Sequence, residues 1–128
     1  MVKFVLIAAG GAVGALLRYG ASGVAYRIGG AGFPWGTLTV NLLGSFLIGL
    51  LWVLAERYPF NPRVSPFLFV GVLGAFTTFS TYTLESFNLF REGDIRLGLI
   101  NLVASNGLGL AAVILGFWTT RTLLGLIR

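Results

Sequence analysis

The residues with most chemistry to offer lie in one stretch, Gly71-Val72-Leu73-Gly74-Ala75-Phe76-Thr77-Thr78-Phe79-Ser80-Thr81-Tyr82-Thr83. It sits in the middle of an apolar run, yet carries five hydroxyl residues besides Tyr82, and two glycines. Hydrocarbon holds no water for loose backbone groups, so a span should be a plain apolar helix. Gly lowers the cost of leaving helical φ/ψ, and Thr and Ser hydroxyls take over freed backbone partners. The stretch reads as a break in a membrane helix, buried against protein, of the kind that lines a cavity or holds an ion.

Composition supplies the frame for that break. The 128 residues are 56% hydrophobic and 10% charged, with a mean hydropathy of +0.90. A soluble domain would carry about a quarter charged residues. The class is an all-α integral membrane protein, one domain over residues 1–128 with four transmembrane helices, the third of them broken. No cysteine is present for a disulfide or thiolate metal site, and no histidine for general-base work. With no convincing carboxylate pair either, the chain is not read as an enzyme. The net charge of +5 is spread over loops and helix ends. Nucleic acid would need a clustered basic patch, so these arginines read as anchors at the lipid headgroups.

The spans are expected at about residues 4–24, 35–55, 65–89 and 97–120. The first opens like a signal peptide, but three further spans argue against cleavage. Its Gly10 and Gly14 form a GxxxG pair that allows close helix approach, serving either packing inside the bundle or a subunit interface. Arg18 lies inside this span, where an arginine faces a watery cavity or a partner, the alternative being a side chain that snorkels from near the helix end to the headgroups. In the second span Trp35 and Trp52 mark the two ends, while Asn41, Gly44, Ser45 and Ile48 share one face. An Asn there is either glue between helices or a donor facing a ligand. In the third, Phe76, Phe79 and Tyr82 form a loose aromatic line interleaved with hydroxyls, and Glu85 stands toward the far end. The fourth has a seam of Asn101, Ser105 and Gly109.

Four spans put both termini on one side. Lys3, Arg57, Arg63, Arg121 and Arg128 share that side, against Arg27, Arg91 and Arg96 on the other. The positive-inside bias, toward termini inside, is weak, as in a protein that inserts both ways and as in weakly biased proteins of a single orientation. A bundle this slim does not easily enclose a polar pathway, whereas two subunits paired through small-residue faces would.

Three runs of residues now resemble a known family. They are Gly11-x-x-Gly14-Ala15-x-x-Arg18-Tyr19, Gly36-Thr37-Leu38-x-Val40-Asn41-x-x-Gly44-x-Phe46, and Gly71-x-x-Gly74-x-x-Thr77-Thr78-Phe79-Ser80-Thr81. Together they are similar to the microbial fluoride channels, the Fluc or CrcB family. The resemblance implies an antiparallel, dual-topology homodimer in the cytoplasmic membrane with two fluoride pores, exporting fluoride passively to lower its toxicity. It implies pore residues at Phe79, Tyr82, Asn41 and Ser105, and a structural, non-transported sodium held by the Gly74 and Thr77 carbonyls. Tyr82 stands where the family carries phenylalanine, its added hydroxyl either assisting fluoride or satisfying a neighbour. Ala75 replaces a second glycine.

Fluoride is small, hard and strongly hydrated, so its path needs many donors. Asn41, Ser80, Thr81 and Ser105 can donate, and the positive ring edges of Phe79 and Tyr82 can face the ion. Arg18 suits a vestibule that raises local anion concentration. The rivals are a small multidrug exporter, whose only candidate carboxylate is Glu85, and a non-transporting membrane subunit.

Overall fold

The computed structural model describes residues 1–125; Arg128, counted above with the terminal side, lies outside the described residues. Its helices are α1 (Val2–Gly29), α2 (Trp35–Arg57), a wide-turned π segment Pro66–Leu73, α3 (Gly74–Phe76), α4 (Phe79–Arg91) and α5 (Ile95–Leu123). No strand occurs among the described residues. Four stretches are long and apolar enough to cross a membrane: Val2–Gly29, Trp35–Arg57, Pro66–Arg91 and Ile95–Leu123. A helix rises about 1.5 Å per residue, so each can traverse a hydrocarbon core of about 30 Å. The chain is a multi-pass cell-membrane protein, with Phe4, Leu16 and Val103 among many large apolar side chains left on its outside.

Local sequence explains where the spans end. α1 stops at Gly30, whose φ of 82° suits glycine and whose N–H bonds back to the Tyr26 carbonyl. Pro34 precedes α2, and the rings of Phe33 and Trp35 pack 4.8 Å apart at its entrance. Pro66 opens the third span, where a missing N–H is no loss.

The packing falls into two parallel pairs bridged by the third span. α1 lies along the π segment and α3, and α2 lies along α5. In the first pair a Cβ on Gly10 would strike the Phe67 carbonyl, and one on Gly14 the Val72 carbonyl. The Gly10 and Gly14 face is therefore spent on packing inside the chain, the first of the two uses open to it. The second pair closes the same way, with Gly116 against the Phe46 carbonyl and Gly49 against that of Val113. Thr120 Oγ1 adds a hydrogen bond to the Leu50 carbonyl at 3.2 Å. In hydrocarbon, such backbone proximity supplies the attraction that apolar side chains alone cannot.

Between its halves the third span changes neighbours. The π segment and α3 follow α1, whereas α4 packs on α5. The change of partner falls at residues 77–78.

Candidate functional site

The break is built where the helical ladder is interrupted at two residues. Thr77 N–H still bonds to the Leu73 carbonyl at 3.1 Å. Thr77 (φ −86°, ψ 158°) and Thr78 (φ −149°, ψ 118°) are then extended. In a continuing helix the Thr78 N–H would donate to the Gly74 carbonyl. Instead it donates to Asn41 Oδ1 at 2.8 Å, and Asn41 Nδ2 donates back to the Thr78 carbonyl at 3.0 Å. The amide of Asn41 thus replaces backbone partners that lipid could not offer. Gly44, one turn along α2, makes room: a Cβ there would overlap the Thr77 methyl.

The chain restarts with a cap. Thr78 Oγ1 accepts from the Thr81 N–H at 3.3 Å and pairs with Thr81 Oγ1 at 2.9 Å, an arrangement suited to an N-cap. The break now has two electrostatic ends. The Gly74 carbonyl has lost its helical donor at the negative end of one segment, and the N–H groups opening α4 stand at the positive end of the next.

The expected site residues distribute over three places. Asn41 and Phe79 line an open groove of about 330 Å³ with Ser45, Gly74, Thr77 and Thr78. Thr81 lines a separate cavity of about 300 Å³ with Arg18, Ser22 and Thr37. Half-buried Arg18 donates from Nη1 to the Thr77 carbonyl at a long 3.5 Å. Tyr82 is only 6% exposed, in the seam between α4 and α5. In that seam Ser105 Oγ donates to Asn101 Oδ1 at 3.4 Å, and Asn101 Nδ2 to Ser86 Oγ at 2.9 Å. Ser80 is exposed on the first turn of α4. The Phe79 and Tyr82 rings do meet, centroids 5.5 Å apart and tilted by 59°. Phe79 is 74% exposed on the single chain.

Two further polar arrangements escaped the sequence reading. Glu85 Oε1 accepts from Tyr26 OH and from Thr37 Oγ1, each at 2.8 Å, while its Oε2 is buried without a partner. Asn106 Nδ2 donates to Tyr82 OH at 2.8 Å. An amide in a charge-free span was the available signal for Asn106, since such a group must find partners in hydrocarbon.

Residues 5–117 match the family described as "CrcB-like protein, Camphor Resistance (CrcB)". The chain is 50% identical over 125 residues to a "Fluoride-specific ion channel FluC" of Salinibacter ruber, covering 98% of this chain and 94% of that protein. It is 44% identical over 128 residues to the protein of that name from Parabacteroides distasonis, covering 100% of both. For the one from Magnetococcus marinus the identity is 49% over 111 residues, 86% of this chain and 90% of that protein. A family match across most of the chain and full-length relatives at this identity show the family: the chain belongs to the CrcB family.

Proposed function

We propose that this chain is a fluoride-specific channel, not an enzyme, that lets fluoride leave the cell passively. The observation that carries the reading is the break at residues 77–78 in a chain closely related to named fluoride channels. A small, strongly hydrated anion needs donors at every step, and the break brings several to membrane depth. Asn41 keeps a second N–H beyond the one given to Thr78, Ser80 presents a hydroxyl, and Phe79 turns an open aromatic ring into the groove. Ring edges attract an anion without trapping it, which suits conduction. Arg18 stands aside in its own cavity, where its charge concentrates anions at the approach. Thr81, Tyr82 and Ser105 continue the donor set away from the groove.

The working unit is an antiparallel homodimer inserted in both orientations. Support comes from what one chain leaves uncovered: the Phe79 ring, Gly74 beside its freed carbonyl, and Asn106 are all exposed. Lipid satisfies none of the polar groups among them. A second copy would cover them and supply a second pore.

Sodium fits the carbonyl side of the break. Gly74 offers an oxygen without its helical partner, and Thr77 one held only by the long contact from Arg18. A hard cation takes such oxygens, and two chains would provide four. Its role is structural, tying the breaks together without being transported. Crystals grown from sodium salts that showed no ion density between Gly74 and Thr77 carbonyls would overturn this part.

The direct test is fluoride efflux from liposomes holding the purified protein, with chloride in parallel. Fast, valinomycin-dependent fluoride release without chloride release is expected. No fluoride release would contradict the proposal. Phe79→Ile and Asn41→Asp should each slow the efflux, and unchanged rates in both would remove the assignment of these residues.

A further inference from the structure

Asn106 follows Ser105 on α5 and stands at the exposed surface of a charge-free span. Its Nδ2 donates to the Leu102 carbonyl at 2.7 Å, one turn back, and to Tyr82 OH at 2.8 Å. An asparagine amide has two N–H hydrogens, and both are committed here. The orientation of the amide follows from Leu102. Turned over, Oδ1 would face the Leu102 carbonyl oxygen at the same short distance, acceptor against acceptor. The group facing Tyr82 is therefore a donor, and the phenol oxygen accepts.

A phenol has one proton. Since Asn106 fills an acceptor position, that proton is left for another partner. The ring is not free to seek one in solvent: Tyr82 is 6% exposed, and its ring packs against Phe79 with centroids 5.5 Å apart. Phe79 in turn lines the groove at the break. The result is an O–H donor on a ring fixed in the α4–α5 seam behind Phe79, with one acceptor position already occupied. A species that only accepts hydrogen bonds, an anion, is the natural recipient.

The geometry points to Asn106 as a positioning residue that holds Tyr82 as an O–H donor to the permeating halide and so strengthens its preference for fluoride. The inference rests on the channel reading above. Fluoride is the smallest and hardest halide, and it gains more than chloride from a short O–H contact. The neighbour of Tyr82 and the anion are thus served by opposite sides of one hydroxyl.

The test uses the full chain in liposomes as wild type, Tyr82→Phe, Asn106→Leu and the double variant. Tyr82→Phe should lower fluoride efflux about tenfold, the scale of one hydrogen bond to a charged group. Asn106→Leu should lower it severalfold, and the double variant should match Tyr82→Phe alone. An Asn106→Leu effect that is equally large without the Tyr82 hydroxyl would overturn the proposal, as would unchanged efflux in Tyr82→Phe. The second readout is the tyrosine C–O stretching band of the wild-type protein on exchanging chloride for fluoride, assigned by its absence in Tyr82→Phe. A shift is expected, and a band that does not move would overturn the donor role even if Asn106→Leu fails to fold. A wild type that passes no fluoride would instead overturn the channel reading, and the infrared band would still decide the donor.

Discussion

Asn41 and Asn106 both reach the third span, and they are used in different ways. Asn41 gives its carbonyl and one N–H to the main chain of Thr78, so both ends of its amide repair a helix. Asn106 gives both N–H groups away, one to its own helix and one to a side chain, and leaves an O–H on Tyr82 uncommitted. The first arrangement repairs a backbone and keeps one N–H of Asn41 spare. The second spends both N–H groups and leaves the open donor on the neighbouring phenol. A polar residue inside a membrane span can therefore serve a ligand directly, through its own spare atom, or through the side chain it orients.

Substitutions separate the two roles, beginning with the largest effect. Asn41→Leu leaves the Thr78 N–H and carbonyl both unpaired, and at about 1–3 kcal/mol for each orphaned group it should destabilise the chain by about 4 kcal/mol. Unfolding in detergent would measure this, and a loss below about 1 kcal/mol would erase the contrast with Asn106. Gly44→Ala places a methyl where Thr77 now sits, and overpacking of this kind should lower stability by about 2 kcal/mol in the same assay. Asn106→Leu should change stability by less than about 1 kcal/mol, because an exposed side chain is lost, while fluoride efflux falls severalfold. A protein that unfolds as readily as Asn41→Leu would make Asn106 a second structural residue. Ser105→Ala should move stability by no more than about 0.5 kcal/mol, since its bond to Asn101 is long at 3.4 Å. A larger loss would mean the seam is tighter than that geometry allows.

The parts of this molecule that sequence makes legible are those set by local chemistry. Hydropathy alone marks the four spans, and the glycines and threonines of residues 71–83 mark the break. What joins distant segments is less legible, because it depends on register. Nothing local to Asn41 names Thr78 as its partner, and Glu85 meets Tyr26 and Thr37 only when three helices are aligned. The GxxxG pair shows the same limit: the motif announces close approach, and only the packing assigns it to the π segment. Thr81 and Tyr82, adjacent in sequence, lie about 100° apart around α4 and so face different places, the Arg18 cavity and the α5 seam. The π turns of Pro66–Leu73 have no signature in the sequence beyond Pro66 itself.

The measurement that bears most directly on the account is the reversal potential of the purified protein in a planar bilayer, with fluoride and chloride gradients imposed in opposite directions. A fluoride channel gives a current that reverses at the equilibrium potential of fluoride and does not shift when the chloride gradient is changed. A reversal that follows chloride, or a bilayer that carries no current at any fluoride gradient, would contradict it.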